Sequence, residues 1–316
     1  MTTKDIYGLA VRMGALSDLR GLDRVKKYLN RIRKQYEALP EAEQVEFDAE
    51  RLVNPYSDTR VLVDNAKGEI RKVLAGIDLK TPELLLADRL GDIDLAITHH
   101  PEGVALASLD EVMSLQAEIF SKYGVPINIA EGVLKSRIAE VSRSVAPANH
   151  NRSVDSAKLL GLDYMCTHTI ADNLGARYLY NLLEDNKEKL ETVGDVVNLL
   201  KTVSEYKIAI KHNAGPKITV GHKDNSCGRV AITEFTGGTD GGKDVYEKLA
   251  QSGVGTIISM HQKEEARSEA KKYHINVIIA GHMASDSLGM NLFLDELEKQ
   301  GIEVIATSGL IRHRRF

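Results

Sequence analysis

Tryptophan is absent from the 316 residues, and aromatic side chains together make up only 5% of them. A chain so poor in rings offers no row of stacking platforms for single-stranded nucleic acid. An excess of one charge is missing too. The 45 acidic and 41 basic side chains leave a formal net charge of −4, without the basic surplus of a general nucleic-acid binder. Cysteine is scarce: Cys166 and Cys227 are too few for a disulfide framework in a chain of this size. No stretch of about 18 uninterrupted apolar residues occurs, so no membrane-spanning helix is expected. The opening MTTKDIYGLAVRMG lacks the charged-then-apolar layout of a signal peptide. These absences lead to the expectation of a cytoplasmic protein with neither membrane nor general nucleic-acid partners. What is present is ordinary for a globular chain, 43% hydrophobic and 27% charged. At about 150 residues per domain, the length suggests about two packed units, or one large one.

The hydrophobic pattern divides the chain into four stretches. Residues 1–53 read as a charged helical extension, with Leu22, Val25, Leu29 and Ile32 at spacings of three and four. That stripe has no obvious partner, and a subunit contact or a lid over a cavity is expected of it. Residues 54–175 alternate apolar runs (KVLAGID, DLAITHH, PINIAE, LDYMC) with helical patterns, and residues 176–212 read as a helical connector. Residues 213–316 restart the alternation with KITVG, RVAITEF, GTIISM, NVIIAG and EVIAT. Strands alternating with helices imply two α/β lobes with mostly parallel sheets.

Histidines and aspartates collect at the ends of these strands. His99 and His100 close DLAIT just before Pro101, at the sheet edge where parallel α/β folds gather ligands. A satisfied imidazole beside an exposed one is the plainer reading of that pair. The strand LDYMC is followed by His168 and Asp172, and NVIIA by His282 and Asp286, each as His-x-x-x-Asp. If a helix begins at the histidine, both side chains share one face and can converge on an ion. Imidazole and carboxylate suit zinc, iron or manganese; a capping aspartate beside a surface histidine is the alternative for either motif alone. FTGGTDGGKD has G-x-x-x-x-G-K spacing, but Asp244 stands where a phosphate loop needs Ser or Thr, so it reads as a glycine turn. The basic end, Arg312-His313-Arg314-Arg315, reads as a solvated or subunit-contacting tail.

ITHHP, HTxxD and GHxxSDxxG in this order resemble the Nif-three-like family of dinuclear metal proteins, some of which are labelled type 2 GTP cyclohydrolase. The resemblance runs from about Asn54 to the C-terminus and includes KVLAGIDLKTPELLLADRLGDIDLAITHHP, with Asp78 closing a strand. It implies two pseudo-equivalent α/β lobes, a toroidal hexamer, and two metal ions per chain held by His99, His100, Asp172, His282 and Asp286. His168 would ligate or support. Two positions depart from the family pattern: Asp286 replaces a usual glutamate, and Ser259-Met260-His261 replaces Thr-Gly-Glu.

Two metals bridged by a carboxylate activate water and hold attacking and leaving oxygens. The resemblance therefore implies a metal-dependent hydrolase of a small-molecule substrate, in one version a GTP cyclohydrolase, with His168 or His261 as general acid or base. With Asp286 one methylene short, Asp172 is expected to carry most of the bridging. The alternative is a non-enzymatic metal-handling or protein-interaction module.

Overall fold

The computed structural model describes residues 1–66 and 68–316. Among the described residues, nine strands form two sheets: β1 (Thr59–Val63), β2 (Lys72–Gly76), β3 (Leu95–Thr98), β4 (Asp163–Thr167), β5 (Lys217–Val220), β6 (Arg229–Glu234), β7 (Val254–Ser259), β8 (Asn276–Ile279) and β9 (Glu303–Thr307). The first sheet has the order β1-β4-β3-β2-β9, the second β5-β8-β7-β6. All neighbours run parallel except β1 against β4 and β5 against β8. Helices cover both faces, which is why β2 and β3 read as continuous apolar runs instead of alternating.

The two sheets repeat one device. An antiparallel edge strand, β1 or β5, lies beside the strand that feeds a long helix beginning with histidine. After β4 comes the helix His168–Asn186, and after β8 the helix His282–Lys299. These helices pack against each other through the centre of the molecule. Their approach depends on Gly289, where a Cβ would sit 2.0 Å from the carbonyl oxygen of Ala171. One continuous core therefore joins the lobes, running from Ile97, Met165 and Ile170 to Ile257, Val277 and Phe293.

Four expectations change. The last strand leaves the second lobe: β9 pairs parallel with β2 and becomes an edge of the first sheet, so residues 213–316 do not stay together. The helix His282–Lys299 lies between β8 and β9 in the chain. PINIAE is not a strand, because Pro126 starts the helix Ile127–Val145 and its fixed φ suits a helix entry. The N-terminal helix Thr3–Ser17 is no appendage. Ile6 and Ala10 are buried in the shared core, and Gly14 lies against Ile170; the stripe of the next helix, Leu22–Glu37, buries Val25 and Ile32. The basic tail is tied down: Arg315 pairs with the buried Glu205 at 2.5 Å and Arg312 with Asp295 at 2.7 Å, while Glu298 receives both Arg312 and Arg314. Residues 176–212 are helical as expected, continuing the His168 helix and adding Val193–Leu200 and Ser204–Lys211.

Candidate metal centre

His99, His100, His168, Asp172, His282 and Asp286 come together in three overlapping groups. Beyond β3 the ladder continues for two residues, His99 N–H donating to Gly76 and His100 N–H to Ile77. His168 opens its helix directly from β4. His282 follows Gly281, whose φ of 111° and close approach to the Ala214 carbonyl exclude a side chain. On each helix the aspartate four residues on returns to the same face.

Asp286 stands at the middle. Its Oδ1 lies 3.6 Å from His99 Nε2, and its Oδ2 lies 3.5 Å from both His100 Nε2 and His282 Nε2. Asp172 Oδ1 is 3.4 Å from His99 Nε2, and its Oδ2 is 3.9 Å from His168 Nε2. Three sets of donor atoms are close enough to share an ion: His99 with Asp172 and Asp286; His100 with His282 and Asp286; and His99 with His100 and His168. The adjacent histidines fall into separate sets with the carboxylates, and into one shared set with His168. Asp286 belongs to two sets and Asp172 to one, so the carboxylate oriented to both sides is Asp286, against the expectation that Asp172 would take that part.

Two further carboxylates, Asp58 and Asp78, fix the rings. Asp58 Oδ2 is 2.8 Å from His168 Nδ1 and also accepts from the Thr169 hydroxyl at 2.7 Å. Asp78 Oδ1 is 2.9 Å from His100 Nδ1. A carboxylate holding Nδ1 leaves Nε2 free for an ion, the usual support of a ligating histidine. His168, expected as a ligand or as a proton-transfer group, therefore stands with the candidate ligands. His261 joins none of the three sets; its ring lies 5.1 Å from that of His282, edge on. Asp58 lies outside any His-containing motif, in the turn just before the antiparallel edge strand β1, and nothing in the sequence marks it. Asp78 had been noted only as the end of a strand.

The donor set fits a cation. Both nitrogens of His99, Oδ1 of Asp172 and both oxygens of Asp286 are buried without a hydrogen-bond partner. Each unmade bond costs about 1–3 kcal/mol, so five in one place demand a compensating charge. Burial pushes the His99 imidazole well below its usual range, keeping it neutral as a ligand must be. Burial, with Asp286 and Asp58 adding, lifts the Asp172 carboxyl well above the carboxylate range. Burial also opposes ionisation of Asp286, but His99, His100 and His282 outweigh it and hold this group low. For His100, burial is outweighed by Asp286 and Asp78, which raise it.

The cluster opens onto a narrow cavity that Glu234, Thr236 and His261 also line. A larger groove, of about 940 Å³, runs between the Leu22 helix and the Ile127 helix and contains none of these groups.

A family model described as Duf34/NIF3 (NGG1p interacting factor 3) matches residues 140–309, a span holding both His-x-x-x-Asp motifs. The chain belongs to the DUF34/NIF3 family. A NIF3 superfamily protein from Sphaerobacter thermophilus superimposes with a TM-score of 0.79 at 27% identity, over 98% of this chain and 99% of that one. Since that overlap includes the N-terminal helices, they are part of an architecture shared with this relative. HcgD from Methanocaldococcus jannaschii, in its reduced form, matches 85% of this chain and 97% of its own with a TM-score of 0.51 at 16% identity, a likeness of fold. No curated protein matches the sequence significantly. Among the described residues of this NIF3 chain, no helix is long and apolar enough to cross a membrane.

Proposed function

We propose that the chain is a dinuclear metal-dependent hydrolase acting on a small molecule. The single observation behind this reading is the set of unpartnered, buried imidazole and carboxylate donors shared out around Asp286. His99, Asp172 and Asp286 would hold one divalent ion and His100, His282 and Asp286 the other, with His168 supporting the first. Cations held there supply Lewis-acid chemistry, polarising a carbonyl or phosphoryl oxygen and making water more acidic. The residues' own part is to fix the rings through Asp58 and Asp78, to keep His99 neutral, and to present an anion between two cations. Iron, zinc and manganese all suit this donor set. Assembly as a homo-oligomer, a toroidal hexamer in the family's manner, and a cytoplasmic location belong to the same reading.

Metal analysis of the purified chain tests it first, followed by a panel of phosphodiesters, small amides and GTP with iron, zinc and manganese. About two ions per chain and turnover abolished by chelation are expected. Full occupancy without turnover of any substrate would instead favour a metal-handling module. Sedimentation as a strict monomer at micromolar concentration would remove the toroid.

A further inference from the structure

Glu234 ends β6 and lines the same narrow cavity as His168, Asp172, His282 and Asp286, and nothing in the metal reading uses it. Its surroundings are unusual for a carboxylate. The Ser259 hydroxyl at the end of β7 lies 2.7 Å from Glu234 Oε2 and 2.6 Å from the backbone carbonyl of His261. A carbonyl only accepts, and a hydroxyl has one hydrogen. If Glu234 were ionised, Ser259 would face two acceptors with a single proton. If Glu234 is protonated, its O–H donates to Ser259 Oγ and Ser259 donates to the carbonyl, so both contacts are made. Tyr246, 3.5 Å from Oε1, links onward to Gln262 at 3.3 Å and through it to Thr219 at 3.0 Å, a hydrogen-bonded file leading toward the half-buried surface.

We propose that Glu234 is the proton-transfer residue of this site, a carboxylic acid lining the cavity onto which the candidate metal ligands open. The inference rests on the hydrolase reading. As water adds to the carbonyl or phosphoryl centre and the bond to the leaving group breaks, the leaving atom takes the Glu234 proton. The surplus proton of the attacking water restores it, so the acid is regenerated. Ser259 and Tyr246 are positioning residues, and His261 is left without the role expected of it. Burial pushes the Glu234 carboxyl up to about 7, with Asp240 adding to the rise and Ser259, Tyr246 and Arg137 opposing it. That is the range in which an acid can both give and retake a proton at neutral pH.

Glu234→Gln keeps the bonds, since an amide N–H can donate to Ser259 as the acid does. Infrared spectra of the metal-free protein should show a carboxylic-acid band that titrates near neutrality and is missing from Glu234→Gln. In manganese-loaded protein, the variant should keep its metal count and KM but lose about a hundredfold or more in kcat on the phosphodiester, amide or GTP that the wild type cleaves. The fall in rate that the wild type shows above neutral pH should vanish with it. A variant within about threefold of wild type, or an infrared titration without any Glu234 acid band, overturns the proposal while leaving the hydrolase reading intact. A fully loaded wild-type protein inert to the whole panel sinks that reading, and this role with it.

Discussion

Asp286 and Asp172 are chemically identical and occupy equivalent positions of two helices, yet the geometry gives them different work. Asp286 presents one oxygen to His99 and the other to His100 and His282, whereas Asp172 meets His99 and His168 only. Repulsion between two cations a few ångströms apart is large in a buried site unless an anion lies between them. Asp286→Ala should therefore reduce bound metal from about two ions per chain to nearly none, and Asp172→Ala to about one. Mass-spectrometric metal analysis separates the two; equal losses would dissolve the distinction. Protons compete for the same donors. In the metal-free protein His100 and Asp172 are both shifted upward, so each holds its proton to higher pH than an exposed group would. The sign follows: a cation must expel these protons, and its apparent affinity falls as pH is lowered. Between pH 8 and 6, isothermal titration with manganese should show weakening of about tenfold per pH unit for each proton displaced. Flat affinity across that range would mean that neither group ligates.

The long helices that start at His168 and His282 are the elements that make the site. Their role could be read from the sequence, because an apolar strand ending in His-x-x-x-Asp states both the helix start and its functional face. The second motif also carries Gly289, and the first has Gly175 at the same offset of seven from its histidine. What the sequence could not reveal is how differently the two glycines are used. A Cβ on Gly289 meets the Ala171 carbonyl at 2.0 Å, but one on Gly175 has nothing nearer than 3.5 Å. Gly289→Ala should thus cost about 1–3 kcal/mol through forced separation of the helices. Gly175→Ala should be neutral or gain up to about 1 kcal/mol from helix propensity. Thermal unfolding of the two variants checks the contrast, and metal content should drop in the first alone. Non-local placements are what the sequence does not show: Asp58 enters from the turn before β1, and β9 joins the first sheet; the helix at Ile127 is instead a local matter, started by Pro126. Strand partners are chosen across the fold, and no window of sequence contains them.

At the scale of the whole molecule, the C-terminus locks the two lobes. After the His282 helix the chain adds β9 to the first sheet and then returns as a tail whose arginines neutralise carboxylates beneath it. Glu205, fully buried on the connector, depends on Arg315, while Asp295 and Glu298 on the ligand-bearing helix depend on Arg312 and Arg314. A buried charge left without its partner is strongly destabilising, by about 3–5 kcal/mol, although the intact pair contributes much less. Arg314 is largely exposed and Glu298 keeps Arg312 without it, so Arg314→Ala should change little. Arg315→Ala strands Glu205 and should lower the melting temperature by several degrees. Removing residues 311–316 strands all three acids, Glu205 on one helix and Asp295 and Glu298 on the helix that carries His282 and Asp286. The truncated chain should unfold at markedly lower temperature and lose metal below the temperature at which the full chain does. Differential scanning calorimetry with parallel metal analysis decides it. A truncated chain as stable as the full one would mean that these acids accept protons or water without cost, and that the tail holds nothing together.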